Sequence, residues 1–149
     1  MDVNYRKVTK TDYNKCADVL VTAYNGEPWN NTWTREEAFL RIEATMSGFN
    51  SRGYVAEIDG EVVAMCLGRI DYYYSNWNQF CVDEFNVLSN FQGKGIGSRL
   101  MNFVSNLMKQ DGIDRIFLIT GGKSAAEFYG KNGFEKSDDG TMMTLGLQT

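Results

Sequence analysis

The segment FQGKGIGSRLMNF, Phe91 to Phe103, sets glycine at the alternate positions 93, 95 and 97 and then runs directly into a helix-like pattern. Glycine loses more backbone freedom on folding than any other residue, so such a cluster needs a reason. A strand-like run precedes it, and the order strand, glycine turn, helix start supplies one. The first turn of a helix offers unpaired N–H groups at the positive end of its dipole, and bare backbone lets a phosphate approach them. Lys94 adds a positive charge and Ser98 a hydroxyl. Two other phosphate loops fit poorly. A dinucleotide fingerprint requires glycine where Ser98 stands, and a triphosphate loop read into Gly122-Lys123-Ser124 requires glycine at Phe117.

Working outward, Ile96, Leu100, Phe103, Val104 and Leu107 form one apolar stripe, which predicts a helix from Ile96 to Gln110 capped by Gly112. Gln79 to Leu88 reads as the strand before it and Arg115 to Thr120 as a short buried strand after it. Upstream, "GYVAEIDGEVVAMCLGRI" is two strand runs joined by Asp59-Gly60, a strong hairpin signal because both turn positions favour positive φ. Val3 to Thr9 reads as a first strand. Tyr13, Cys16, Ala17, Leu20 and Tyr24 mark a helix that Gly26 and Pro28 stop. Thr34 to Glu37 has the form of a capping box ahead of a helix burying Ala38, Phe39, Ile42 and Met46. Ser124 to Lys131 reads as a short helix, followed by two final strands around Phe134 and from Thr141 to Leu147. The predicted order is β-α-α-β-β-β-α-β-α-β-β, an α/β (α+β) chain forming a single domain over residues 1–149.

Composition excludes several functions. The 149 residues carry a net charge of −4, unlike the basic face of a nucleic-acid binder, so no nucleic-acid partner is expected. No stretch approaches the ~20 apolar residues of a membrane span, and the N-terminal MDVNYRKVTK lacks a signal-like apolar run. Cys16, Cys66 and Cys81 are odd in number and lack ligand spacing, which points to reduced thiols in a cytoplasmic protein with no metal site. The chain has no histidine, so serine–histidine and cysteine–histidine nucleophilic sites are ruled out. A base working near neutral pH is then a carboxylate of raised pKa, a tyrosine, a lysine, a thiol, an amino terminus or a relayed water.

Gln92-Gly93-Lys94-Gly95-Ile96-Gly97 resembles the glutamine/arginine-x-x-glycine-x-glycine/alanine signature of the GNAT superfamily of acyl-CoA-dependent N-acyltransferases. "AAEFYGKNGF", Ala125 to Phe134, is similar to that family's second signature, and the element order matches across essentially the whole chain. The resemblance implies a mixed central sheet of about seven strands with helices on both faces, whose central parallel strands splay apart to admit acetyl-CoA. It places the pyrophosphate on the backbone of Gln92, Gly93, Lys94, Gly95, Ile96 and Gly97, with Ser98 following. It places the pantetheine arm beside Val87 and Leu88, where an N–H polarises the thioester carbonyl. Tyr129 matches the tyrosine that protonates the departing thiolate. Many relatives carry asparagine where this chain has Gly122, and Ser124 is the candidate to replace its contact with the cofactor.

Acetylating an amine of pKa about 10 requires a base to take its proton. Asp83 and Glu84 stand on the strand that leads into the glycine loop, and adjacent strand residues face opposite ways unless a bulge intervenes. The resemblance favours Glu84; Asp83 and a relayed water remain alternatives, as does a purely structural or substrate-binding carboxylate. Glu27, Trp29, Trp33 and Tyr73 lie in segments where the family builds its acceptor site, and aromatic faces with carboxylates suit an ammonium group. A small cationic amine, polyamine or aminoglycoside-like, is the expected acceptor. A peptide or protein amine and a non-catalytic acyl-CoA-binding module are the alternatives. Cys66 and Cys81 read as core residues rather than acyl carriers, and the aromatic run at "DYYY" and the C-terminal strands offer a surface for a homodimer.

Overall fold

The computed structural model describes residues 2–75 and 77–148. The chain falls into two compact units, Met1–Leu118 and Ile119–Thr149. The first contains β1 (Asn4–Lys7), α1 (Tyr13–Asn25), α2 (Arg35–Thr45), β2 (Ser51–Ile58), β3 (Glu61–Asp71), β4 (Gln79–Val87), α3 (Ile96–Gln110) and β5 (Arg115–Phe117). The second contains α4 (Lys123–Lys131).

The strands of the first unit form one sheet in the order β1-β2-β3-β4-β5, antiparallel except for the parallel β4–β5 pair that α3 connects. Asp59 and Gly60 both take positive φ, 52° and 80°, and close the β2–β3 hairpin as their residue types demand. The capping box forms with both arms: Thr34 N–H donates to Glu37 Oε1 at 2.9 Å and Glu37 N–H to Thr34 Oγ1 at 3.1 Å.

Helices cover both faces of the sheet, so β3 is buried continuously from Val62 to Leu67 instead of alternating. Under α3, Ile96, Leu100, Val104 and Met108 pack on Tyr54, Ala56, Cys66, Phe80 and Val82. On the other face, Cys16, Ala17 and Leu20 of α1 and Ala38 and Ile42 of α2 pack on Val55, Val62, Met65 and Leu67. The three cysteines are free and buried. Among the described residues no helix is long and apolar enough to cross a membrane, and no group of side chains is arranged to hold a metal ion.

The sheet differs from the expected one of about seven strands. Five are formed, β5 ends at Phe117 rather than Thr120, and residues 132–148 carry no strand. A strand forms only where its N–H and C=O groups find a partner, and among the described residues those of 132–148 pair with no other strand. Met142, Met143, Leu145 and Leu147 are correspondingly exposed.

Candidate active site

β4 and β5 pair over three positions, Gln79–Arg115 to Cys81–Phe117, after which β4 continues to Val87 paired with β3. β5 ends at Phe117, so from Val82 onward the edge of β4 that faces away from β3 has no strand neighbour among the described residues. Leu88 N–H donates to Val63 O at 2.9 Å, so it is spent on β3. By strand alternation the Val87 N–H and C=O point the other way, toward the open edge. The Val87 carbonyl there accepts a hydrogen bond from Gln92 Nε2 at 2.9 Å, which ties the strand end to the glycine loop.

In that loop Gly93 and Gly95 take φ of 76° and 82°, a region that favours glycine, and Gly95 is the N-cap of α3. Arg99 N–H closes the first helical hydrogen bond onto Gly95 O, so the amides of Ile96, Gly97 and Ser98 have no acceptor within the helix. A Cβ built on Gly93 meets nothing within 4 Å, so open space adjoins the backbone there. Lys94 Nζ sits 5.6 Å from the centre of the Phe91 ring, and the Arg99 guanidinium lies 3.7 Å from the Cβ position of Gly95. Arg99 was absent from the sequence reading; its position one turn after Gly95 was the available signal. Amides without a helical acceptor, bare glycine backbone and two cations are the donor set a diphosphate requires, so these residues fit coenzyme A.

Midway along β4 lies a second feature. The β3–β4 register runs Leu67–Glu84 and then Gly68–Val82, so Asp83 has no partner and forms a β-bulge. The bulge turns both carboxylates toward α1 and α2. Asp83 pairs with Arg69, and Cys81 Sγ approaches its Oδ1 at 3.9 Å. Glu84, 5% exposed, accepts Tyr24 Oη–H at 2.8 Å on Oε1 and Arg41 Nε–H at 3.0 Å on Oε2. Burial pushes the Glu84 carboxyl above the usual range, outweighing these two hydrogen bonds and the Arg41 charge. Burial and the neighbouring carboxylate push Tyr24 up to about 12, so it stays a donor. The neighbouring Asn86 side chain pulls Tyr24 down slightly, while its own buried Oδ1 has no partner among the described residues. Tyr24, Arg41 and Asn86 all escaped the sequence reading as site residues.

Tyr24 in turn carries the aromatic loop between α1 and α2. Its ring stacks on Trp33 at 6.3 Å and meets Trp29 edge-on at 5.9 Å. Asn25 clamps Trp33 through a pair of hydrogen bonds, Trp33 N–H to Oδ1 at 2.8 Å and Nδ2–H to Trp33 O at 3.0 Å. Trp29 and Trp33 thus join the Glu84 cluster through Tyr24, and Glu27 is exposed in the same loop. Tyr73 stands apart. It follows Asp71, which pairs with Gln79 five positions before Glu84, ~16 Å along the strand. There it packs on Tyr74 and its N–H donates to Asn78 Oδ1. Burial pushes the Cys66 and Cys81 thiols up, in keeping with core roles. In the second unit, Tyr129 on α4 packs edge-on against Phe128 and Phe134, and Ser124 lies in the first turn of the same helix, whose N-cap is Gly122.

A β4 edge left open beyond the end of β5, a glycine-lined helix start with amides free of helical acceptors and a buried carboxylate on β4 fit an acyl-CoA-dependent transferase. The model of the acetyltransferase (GNAT) family matches residues 18–134, and the chain belongs to that family. Its members use acetyl-CoA as acyl donor, and the chain is an acetyltransferase of that kind. A search of curated proteins finds no match to the sequence. Among solved structures, the chain is similar to a transcriptional regulator from Bacillus halodurans C-125 (22% identity, TM-score 0.78, covering 97% of this chain and 100% of that one). It is also similar to glucosamine-6-phosphate N-acetyltransferase from Arabidopsis thaliana (21%, 0.70, 99% and 100%). A third is the aminoglycoside N-acetyltransferase AAC(6')-Iy in complex with CoA (15%, 0.76, 97% and 95%). At these identities the likeness is one of fold.

Proposed function

We propose that the protein transfers the acetyl group of acetyl-CoA directly to the primary amine of a small molecule, with Glu84 as the base. The observation that carries this reading is the buried Glu84 carboxylate at the β4 bulge, bound by the Tyr24 hydroxyl, whose ring in turn meets Trp29 and Trp33. Bound acetyl-CoA supplies a thioester, an acetyl group on a good leaving thiolate. The amides of Ile96, Gly97 and Ser98, with Lys94 and Arg99, hold the diphosphate, and the Val87 N–H is oriented to polarise the carbonyl. Glu84 takes one proton from the acceptor ammonium. The freed nitrogen forms the N–C bond as the C–S bond breaks, and the nitrogen's second proton passes through solvent to restore the proton given to the departing thiolate. Tyr129 is assigned to protonate the thiolate on the strength of its motif, and Ser124 to contact the cofactor on the same ground. The aromatic faces of Trp29 and Trp33 suit the cationic nitrogen of the acceptor. A polyamine or aminoglycoside-like acceptor is favoured by those rings and by the exposed Glu27, but Glu84 and Asp83 already have arginine partners.

The reading is tested by thiol release from acetyl-CoA against a panel of amines and short peptides, with Glu84→Gln and Tyr129→Phe beside the parent. Release should depend on a small amine. Glu84→Gln should lower kcat by roughly 10²- to 10⁴-fold while coenzyme A still binds, and Tyr129→Phe should lower kcat with the acceptor KM little changed. Silence toward every amine alongside intact coenzyme A binding would favour a binding module, and release with peptides alone would favour a peptide acceptor.

A further inference from the structure

We propose that Arg41 recognises an anionic group on the acceptor, so that the acceptor is a primary amine bearing a carboxylate or phosphate two to four bonds from its nitrogen. This rests on the acetyl-transfer reading above. The Arg41 guanidinium is anchored at one point: Nε donates to Glu84 Oε2 at 3.0 Å, and the side chain stays 41% exposed. Its two terminal NH2 groups have no hydrogen-bond acceptor among the described residues. Arg6 and Arg35 are spent more fully on the protein itself. Arg6 spends both Nη atoms on Asp12 and Glu57, and Arg35 uses Nη2 on the Asn14 carbonyl. Arg41 is thus held rigidly on the base while the end of its fork, the geometry that matches carboxylate and phosphate oxygens, stays open.

Charge favours the same conclusion. Glu84 is balanced by Arg41 and Asp83 by Arg69, so the site holds no surplus negative charge on β4 to attract a polycation. Once Glu84 has taken the amine proton it is neutral, and Arg41 loses its counter-charge. An anion already on the acceptor supplies a replacement, whereas a second ammonium would be repelled. An anion on the Arg41 fork lies about 5–6 Å from the Glu84 carboxylate, taking hydrogen bonds of ordinary length. A compact amino acid or amino-phosphate covers that span.

The test compares matched acceptors: β-alanine with propylamine, O-phosphoethanolamine with ethanolamine, and spermidine as polycation, each against the parent, Arg41→Gln and Arg41→Lys. Because Arg41 touches Glu84, kcat will change for all acceptors, so the result is read in the ratio of KM values within each pair. The parent should favour the anionic member by about 10- to 100-fold. Arg41→Gln should erase that preference, and Arg41→Lys should restore part of it for phosphate. Calorimetric binding of O-phosphoethanolamine and ethanolamine to the coenzyme A complex of parent and Arg41→Gln gives the same comparison without turnover. A parent that prefers spermidine or the neutral amines, or a preference that survives Arg41→Gln, overturns the proposal while leaving acetyl transfer standing. Arg41-dependent binding of the anionic amine with no transfer to any acceptor would instead count against the transfer reading.

Discussion

A phenol on a buried carboxylate stabilises the charged form of that carboxylate only while it keeps its own proton. Tyr24, pushed up to about 12, does so throughout the range in which an enzyme is assayed. Its hydrogen bond therefore works against the burial that raises Glu84. For a base, activity is lost as pH falls through its pKa, so kcat/KM should decline below a value above the ordinary carboxylate range of about 4. Tyr24→Phe removes one of the groups that hold this pKa down, and the acidic limb of the pH–rate profile should move to higher pH. Stability should fall by about 1–3 kcal/mol, since the buried Glu84 carboxylate loses a hydrogen-bond donor. A limb that stays in place would show that Glu84 is not the titrating base. The sequence placed Tyr24 on the apolar stripe of α1, and Cys16, Ala17 and Leu20 of that stripe are indeed core. That its hydroxyl reaches across to β4 depends on how α1 sits over the sheet, which helical periodicity does not encode. Arg41 gave less signal still, since periodicity says only that it lies off the buried stripe of α2.

At the level of elements, the legible parts were those set by local chemistry. The Asp59-Gly60 hairpin, the Thr34–Glu37 capping box and the glycine entry to α3 each follow from backbone preferences a few residues long. The bulge at Asp83 is different, because it arises between strands. A Cβ on Gly68 would lie 2.0 Å from Cys81 O and 3.0 Å from Phe80 Cε1, so β3 and β4 can approach as they do only with glycine there. Nothing near Gly68 in the sequence announces that contact, although the adjacent carboxylates raised the question of a bulge. The C-terminal strands failed for the converse reason: an apolar run supplies one edge of a sheet and cannot supply the other. Gly68→Ala should force the strands apart, costing about 3 kcal/mol and lowering Tm by roughly 10 °C. It should also displace Glu84 and reduce kcat, while coenzyme A affinity, which the proposed function assigns to the α3 terminus, stays close to that of the parent. Thermal melts and coenzyme A titration of this one variant separate the two effects. A variant with unchanged Tm would mean that the bulge relaxes without cost.

For the molecule as a whole, resistance to acid should depend on charges far from the candidate site. Asp12, 5% exposed, takes both Nη groups of Arg6 at 2.8 and 2.9 Å and the Thr9 N–H at 2.8 Å, and Arg6 continues to Glu57 at 3.0 Å. This network joins β1 and β2 to the start of α1. The Arg6 hydrogen bonds hold the Asp12 carboxyl below its usual value despite burial. A carboxylate whose folded pKa lies below its unfolded one binds fewer protons when folded. Its contribution is therefore complete above the unfolded value of about 4 and is lost as pH falls through the folded value. Asp12→Asn keeps the shape but removes the charge and leaves Arg6 with Glu57 as its remaining carboxylate. At neutral pH the variant should be less stable by about 1–3 kcal/mol in urea unfolding. On acidification the parent should lose stability faster than the variant, and the two curves should converge once the pH lies below the folded value of the Asp12 carboxyl. Parallel curves over the whole range would place the acid sensitivity in other carboxylates and leave Asp12 as a neutral cap for the turn that opens α1.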